Sequence, residues 1–229
     1  MNDRRISRSG ARRRPGFPVA ALALVLAPLA GCVGGLLQSE QADPLAYELR
    51  ATPAPALSPT IPEGLTVLRP LARPGLDGDR IAVWLPDRRL DAYAGARWSA
   101  PAPDMVQSLL LDGFRERGGW QRVLPDRSQV RGRYWLQTEL RDFQAEYADA
   151  GGPPVVRVTL RGDLGRAGDR SVIGSVEARA EVRAAADRLG AVTAAFEAAF
   201  GEAAAELGTR IHALALAAES SSTEAAGAR

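Results

Sequence analysis

The chain has no lysine, one cysteine and one histidine, and each shortage excludes a class of site. All 29 basic residues are arginine, so a phosphate-binding loop of the Gly-x-x-x-x-Gly-Lys-Ser/Thr type cannot be present. The single cysteine, Cys32, cannot form an intramolecular disulfide. Because His212 is the only histidine, a multi-histidine metal centre is excluded, and a Ser-His-Asp triad would have to use this residue.

Candidate catalytic residues are sparse in the rest of the sequence. No Gly-x-Ser-x-Gly motif accompanies His212, which is predicted to lie near the end of the last helix and is interpreted as structural. The stretch from Gly162 to Gly168 lacks the spacing of a phosphate-binding loop and is typical of a hairpin turn. We therefore predict a protein that is not an enzyme and has no cofactor and no metal site.

The amino terminus has the pattern of a secretory signal. An arginine-rich segment precedes an apolar run from Phe17 to Ala30, which ends in small residues. This run has 14 residues, fewer than the roughly 20 that a helix needs to span a bilayer. Residues 1–31 are therefore predicted to be a signal peptide. The Arg4-Arg5 pair also allows twin-arginine export, but the residues after it fit that pattern poorly and favour general secretion.

The sequence Leu29-Ala30-Gly31-Cys32 resembles the lipobox of bacterial lipoproteins, in which the cysteine thiol is acylated and becomes the new amino terminus. Several acyl chains, such as palmitate, on one residue hold a protein at a membrane, whereas one chain gives only marginal binding. Cys32 is thus the predicted lipid anchor, and the alternative is a chance cysteine beside an ordinary signal peptide. Because Val33 rather than Asp follows it, the resemblance implies the periplasmic face of the outer membrane.

The basic character of the full chain belongs to the predicted signal peptide. Residues 1–31 contain six arginines and one aspartate, so the remaining chain has 23 basic and 26 acidic residues and a formal charge of about −3. Nucleic-acid binding needs a basic patch on the folded domain, and nothing in the sequence indicates one.

The remaining chain is predicted to form one domain between two less ordered ends. Residues 32–44 carry the anchor and are small or polar, as expected of a tether. Residues 219–229 lack large apolar side chains and are predicted to be a disordered tail. The domain therefore extends over residues 45–218, which is long enough for a substantial core.

The first half of this domain alternates short strands with one helix. A helix is predicted to begin near Pro103, because proline suits the first turn and Asp104 suits the positive end of the helix dipole, and to end at Gly118. The loops are predicted at the proline-rich residues 52–62 and at residues 70–78. The predicted short strands are residues 46–49, 65–68, 80–85, 89–93 and 120–124.

Three longer strands follow, at residues 134–147, 156–161 and 172–183, and their clean alternation predicts an antiparallel sheet with one buried face. In the first of them the apolar positions change parity, which predicts a β-bulge near Arg141-Asp142. A hairpin turn at residues 165–169 predicts that Arg157 lies opposite Glu177.

The last element is an amphipathic helix predicted over residues 191–217. Its apolar stripe could pack on the core or lie on a membrane, and its acidic polar face favours the core. The predicted fold is therefore a mixed α/β domain with a largely antiparallel sheet and two long helices packed on it.

Tyr93, Arg97 and Trp98 form the densest aromatic cluster outside the three long strands and the last helix. They precede the first helix, where loops are usually exposed, and tryptophan, tyrosine and arginine dominate binding hot spots. These three residues are the candidate partner-binding site. The alternative is that Trp98 fills the core where the strands meet the helix.

Short segments of the domain occur in an order that resembles a known family. They are Leu65-Thr-Val-Leu-Arg-Pro70, Pro74-Gly75-Leu76-Asp77, Asp79-Arg80-Ile81-Ala82, Leu90-Asp91-Ala92-Tyr93, Ala96-Arg97-Trp98, Phe143-Gln-Ala-Glu146 and Val192-Thr-Ala-Ala-Phe196. Behind a lipobox, this order looks like the auxiliary lipoprotein family of ABC-type transport systems, which includes the lipoprotein of the paraquat-inducible system. The similarity extends over nearly all of residues 47–216.

The resemblance implies a fold like the amino-terminal domain of TolB. It also implies a non-catalytic component of a lipid transport system between the inner and outer membranes, with three partners: a mammalian-cell-entry-domain protein, a permease and an ATPase. The sequence leaves open whether the chain forms a homo-oligomer. The alternative function is that of a structural or assembly lipoprotein that docks envelope proteins. A third hypothesis, a periplasmic hydrolase, has the least support from the sequence.

Overall fold

The computed structural model describes residues 43–148, 152–168 and 171–227, with side chains to residue 222. The predicted signal peptide, Cys32 and most of the tether lie outside the described residues, so they stay predictions. Within the described part of the chain, no helix is long and apolar enough to cross a membrane.

The described chain contains nine strands and two helices. The helices are α1 (Ala102–Arg117) and α2 (Leu189–Gly227). The strands are β1 (Leu45–Tyr47), β2 (Ile61–Val67), β3 (Leu71–Ala72), β4 (Arg80–Trp84), β5 (Leu90–Trp98), β6 (Trp120–Pro125), β7 (Tyr134–Glu146), β8 (Val155–Arg166) and β9 (Val172–Arg183).

Strand β7 is the central strand of a mixed sheet. Along one side it pairs antiparallel with β8, which pairs antiparallel with β9. Along its other side it pairs parallel with β2, β3 and β4 in succession. Strand β5 pairs antiparallel with β4, while β1 and β6 form parallel edges on β5 and β2. The mixed α/β fold is confirmed, and its longest strand pairings are antiparallel, as predicted.

The long strands confirm the predicted bulge and correct a predicted pair. The β7–β8 register shifts between Leu140 and Asp142, where the parity of the apolar residues changes. Arg157 lies opposite Glu181, and its Nε is 3.1 Å from a Glu181 carboxylate oxygen. The prediction that Arg157 faces Glu177 is therefore wrong. From Val155 to Leu164, each partner on β9 lies four residues later than expected.

Both helices pack on one face of the sheet. Helix α1 begins one residue before the predicted Pro103 and ends at Gly118, whose φ of 67° suits glycine. Helix α2 buries its predicted apolar stripe against β8 and β9, and Phe196, Ala203 and Leu207 are fully enclosed. The predicted packing of this helix on the core is confirmed.

Helix α2 is longer than predicted and replaces the disordered tail at residues 219–227. Alanine, glutamate and serine there can continue a helix that is already nucleated. Ser220, Ser221 and Ser222 each donate to the carbonyl four residues earlier. The Tyr134 hydroxyl donates to Glu219, and Arg166 donates to Ser222, so these contacts hold the extension to β7 and β8.

Two further elements differ from the prediction. Strand β5 continues to Trp98 instead of ending at Tyr93, because β1 pairs in parallel with its second half. The predicted loop at residues 70–78 contains the two-residue strand β3, which pairs with Glu139 and Leu140 of β7. Both extensions depend on partners that are distant in sequence.

Candidate interaction surface

Trp98 is a core residue. Its side chain is 0% exposed, with ring centroids 5.2 Å from Phe196 and 5.7 Å from Phe143. The aromatic cluster therefore joins β5, β7 and α2. The prediction of a surface contact is wrong for Trp98, because the extension of β5 places this residue on the face that the helices cover.

Tyr93 is half-buried and packs against the core, where it begins a short hydroxyl chain. The Tyr147 hydroxyl donates to the Asp187 carboxylate at 2.6 Å, so the Tyr93 hydroxyl, 3.0 Å away, donates to Tyr147. Burial, followed by the bond to Tyr147, raises the pKa of Tyr93 above its ordinary value. Tyr93 thus links β5 to the segment before α2.

Arg97 is exposed at the end of β5. Its Nη1 is 3.4 Å from a carboxylate oxygen of Asp79, a pair that is open to solvent. The structure therefore separates the three candidates: Trp98 lies in the core, Tyr93 at its margin and Arg97 at the surface. Tyr93 and Arg97 remain candidate partner contacts.

The opposite face of the sheet is not covered by either helix, and we call it the open face. Its central region is a ladder of ion pairs between β7, β8 and β9. These pairs are Arg141–Glu139, Arg141–Glu177, Arg157–Glu146, Arg157–Glu181, Arg161–Asp163 and Arg179–Glu181. Because the two signs alternate and the paired side chains are half-buried to exposed, this region is suited to a hydrated, mixed polar contact.

One end of the open face carries a cleft beside Trp135. The cleft has a volume of about 620 Å³, and Leu68, Gln137 and Ala167 are among its lining residues. A Cβ on Gly165 would lie 2.0 Å from Cζ2 of Trp135, so glycine is required for the indole to lie across β8. An indole wall beside an amide and a guanidinium, that of Arg131, can accept an apolar or aromatic group with polar edges.

The other end of the open face carries an exposed apolar pair on the β4–β5 hairpin. Trp84 and Leu90 are cross-strand partners, and they are 41% and 40% exposed. Together with Pro74 and Arg141 they line a shallow pocket of about 100 Å³. Sequence reasoning did not select Trp84 or Trp135, although each is out of phase with the buried residues beside it in its strand.

His212 is a buried structural residue, as predicted. Its Nε2 lies 3.0 Å from the Pro59 carbonyl and 3.1 Å from the Gly119 carbonyl, so Nε2 carries the proton and donates. The ring also packs edge-on to Trp120, with centroids 5.9 Å apart. His212 therefore fixes α2 to the loops before β2 and β6. Within residues 43–148, 152–168 and 171–227, no cluster of side chains has the composition of a metal site.

The fold defines a class of protein: a domain with two helices on one face of a mixed sheet, whose other face neither helix covers. The family of ABC-type transport auxiliary lipoprotein components matches residues 47–208, and this chain belongs to that family. The family describes a lipoprotein that assists a transport system, which agrees with the predicted membrane anchoring in the cell envelope. A search of curated proteins gives no significant match.

Solved structures agree with this assignment. A Xanthomonas campestris protein of the DUF330 family is 28% identical, with a TM-score of 0.67 over 76% of this chain and 98% of that one. An uncharacterized protein that is 14% identical has a TM-score of 0.57 over 74% of this chain and 99% of its own. The second likeness concerns the fold alone.

Proposed function

We propose that this chain is a non-catalytic lipoprotein component of a mammalian-cell-entry-type ABC system that moves lipid between the inner and outer membranes. The observation that carries the proposal is the family match over residues 47–208, which includes nearly the whole described domain. In this function ATP hydrolysis and translocation belong to other chains, and this chain acts through binding.

The anchor of the proposed function is a lipid on Cys32 at the periplasmic face of the outer membrane. The lipobox-like sequence and Val33 support this placement. A Cys32→Ala variant should lose fatty-acid labelling and should no longer be processed as a lipoprotein. Unchanged labelling of that variant would contradict the assignment of the anchor.

Purification of the tagged full-length chain in mild detergent tests the partner. We expect a mammalian-cell-entry-domain protein to be recovered, together with the permease and the ATPase of the same system. Recovery of envelope scaffold proteins alone, in several detergents, would support the alternative function of a docking module for envelope assembly.

A matched pair of variants tests the proposed partner contact at Arg97. Arg97 and Arg115 each make one exposed ion pair: Arg97 with Asp79, which directly precedes β4, and Arg115 with Asp112 on α1. We expect Arg97→Glu to reduce partner recovery at least fivefold, while Arg115→Glu leaves it unchanged. Equal recovery with both variants would remove Arg97 from the interface without affecting the proposed function.

A further inference from the structure

One row of paired residues crosses five strands, β5, β4, β7, β8 and β9, and defines one end of this part of the sheet. Leu90 pairs with Trp84, which pairs with Glu146 of β7. Glu146 pairs with Val155 of β8, and Val155 pairs with Arg183 of β9. The turn between β4 and β5 therefore projects from the same end of the sheet as the segment that leads from β9 to α2. We call residues 84–90 the hairpin tip.

The described chain enters the domain from the direction of this end. Strand β1 is parallel to β5 and places Leu45 beside Ala96, so the chain before β1 comes from the side on which β5 begins. Arg97 lies opposite Arg80, four residues from Trp84, so the start of β1 beside Ala96 is about 13 Å from the level of Leu90 at the rise of a strand. The residues from Cys32 to Leu45 can span about 45 Å when extended, so a lipid on Cys32 reaches the level of the hairpin tip with slack.

The hairpin tip has the side chains that suit a bilayer surface. Trp84 and Leu90 are exposed although they are large and apolar, and tryptophan is favoured at membrane interfaces. Arg88 and Arg89 are exposed at the turn, where they complement anionic headgroups. Arg89 also pairs with Asp87 at 2.5 Å, so Arg88 supplies the less compensated charge.

We propose that the hairpin tip rests on the bilayer to which the chain is anchored, with Trp84 and Leu90 at the level of the headgroups and Arg88 on lipid phosphates. The proposal rests on the proposed lipid anchor at Cys32. It orients the domain: the row from Leu90 to Arg183 faces the membrane, and the cleft beside Trp135 points away from it.

Fluorescence quenching by lipids distinguishes the two ends of the domain. Trp84 and Trp135 lie at opposite ends of the open face, about 35 Å apart by the rise of β7, while Trp98 and Trp120 are buried. The full-length lipidated chain is reconstituted into vesicles of phosphatidylethanolamine and phosphatidylglycerol that contain brominated phosphatidylcholine. We expect the quenching to fall at least threefold in Trp84→Phe and to stay unchanged in Trp135→Phe, the matched control.

A charge variant tests the role of Arg88. Arg88→Glu should reduce the quenching at least twofold in anionic vesicles, whereas Arg115→Glu on α1 should not change it. If the quenching is lost in Trp135→Phe and retained in Trp84→Phe, the orientation is reversed and the proposal is overturned. A protein partner on the hairpin tip would leave neither tryptophan quenched, which also overturns it.

Flotation with the vesicles separates this proposal from the proposed function. If the wild-type chain floats, Cys32→Ala does not, and Trp84 is unquenched, the anchor stands and only the orientation fails. If the wild-type chain does not float, the anchor fails and the orientation fails with it.

Discussion

Replacement of Trp98 by alanine tests whether this residue stabilises the core or forms part of a surface contact. Trp98 is 0% exposed and contacts two aromatic rings, Phe143 and Phe196. Truncation of a buried tryptophan costs about 3–5 kcal/mol, because the lost transfer free energy and the cavity add. The two ring contacts are part of that cost, at about 0.5–1.5 kcal/mol each beyond their buried area. We therefore expect Trp98→Ala to lower the free energy of unfolding by about 4 kcal/mol.

A second variant separates the packing of this residue from its polar group. The Trp98 indole N–H has no hydrogen-bond partner within the described residues, so Trp98→Phe removes an uncompensated donor while it leaves a smaller cavity. It should cost clearly less than Trp98→Ala, at about 1–2 kcal/mol. The exposed Trp84 supplies the control, and Trp84→Ala should change stability by less than about 1 kcal/mol.

Urea unfolding of the mature domain, followed by circular dichroism, measures all three variants. The slope with urea should stay constant, since the changes concern the native core and not the surface exposed on unfolding. A loss below about 1 kcal/mol for Trp98→Ala would refute the core assignment. Partner recovery that falls while the unfolding midpoint stays unchanged would return Trp98 to the interface.

Two further predictions concern backbone packing and pH. A Cβ on Gly132 would lie 2.2 Å from the Gly64 carbonyl oxygen, so Gly132→Ala should destabilise the fold by about 2–3 kcal/mol or more. Gly113 in α1 has open space around it, so Gly113→Ala should stabilise the fold by about 0.5–1 kcal/mol. Thermal unfolding of both variants measures these effects, and equal effects would contradict the prediction. The Arg69 guanidinium, 2.6 Å from Asp104, lowers the pKa of that carboxyl, so its stabilising contribution is present above the unfolded value of about 3.9 and is lost as the pH falls through the lower folded value. The stability difference between wild type and Asp104→Asn should therefore shrink on acidification from pH 5 to pH 2, and a difference that is independent of pH would contradict the ion pair.

The sequence was sufficient for features that depend on local periodicity. The bulge in β7 followed from the change of parity between Leu140 and Phe143, since a period of two determines which side chains share a face. The same period does not determine which residues lie opposite each other. Arg157 can face Glu177 or Glu181 with the same pattern, and only the register of β8 against β9 decides between them. That register gives the second pair.

Features that depend on distant pairing could not be derived in this way. The local sequence around Tyr93 and Trp98 predicts a short hairpin strand followed by a loop. The parallel pairing of β1 extends that strand and moves Trp98 into the core. The exposed tryptophans Trp84 and Trp135 were not selected either, because alternation predicts a sheet with one uncovered face without indicating which side chains on that face are suited to contact.

Helix α2 lies on the covered face of the sheet and links its two ends, which gives them a fixed separation. Near its start Asp187 accepts a hydrogen bond from Tyr147, and near its end Glu219 accepts one from Tyr134. The helix between these contacts is about 45 Å long and packs on β8 and β9, so neither end can move without breaking the core between them. If the hairpin tip rests on the bilayer as proposed, the Trp135 cleft stands about 35 Å from it. A rigid domain then presents that cleft at a constant height to a partner that approaches from the periplasm.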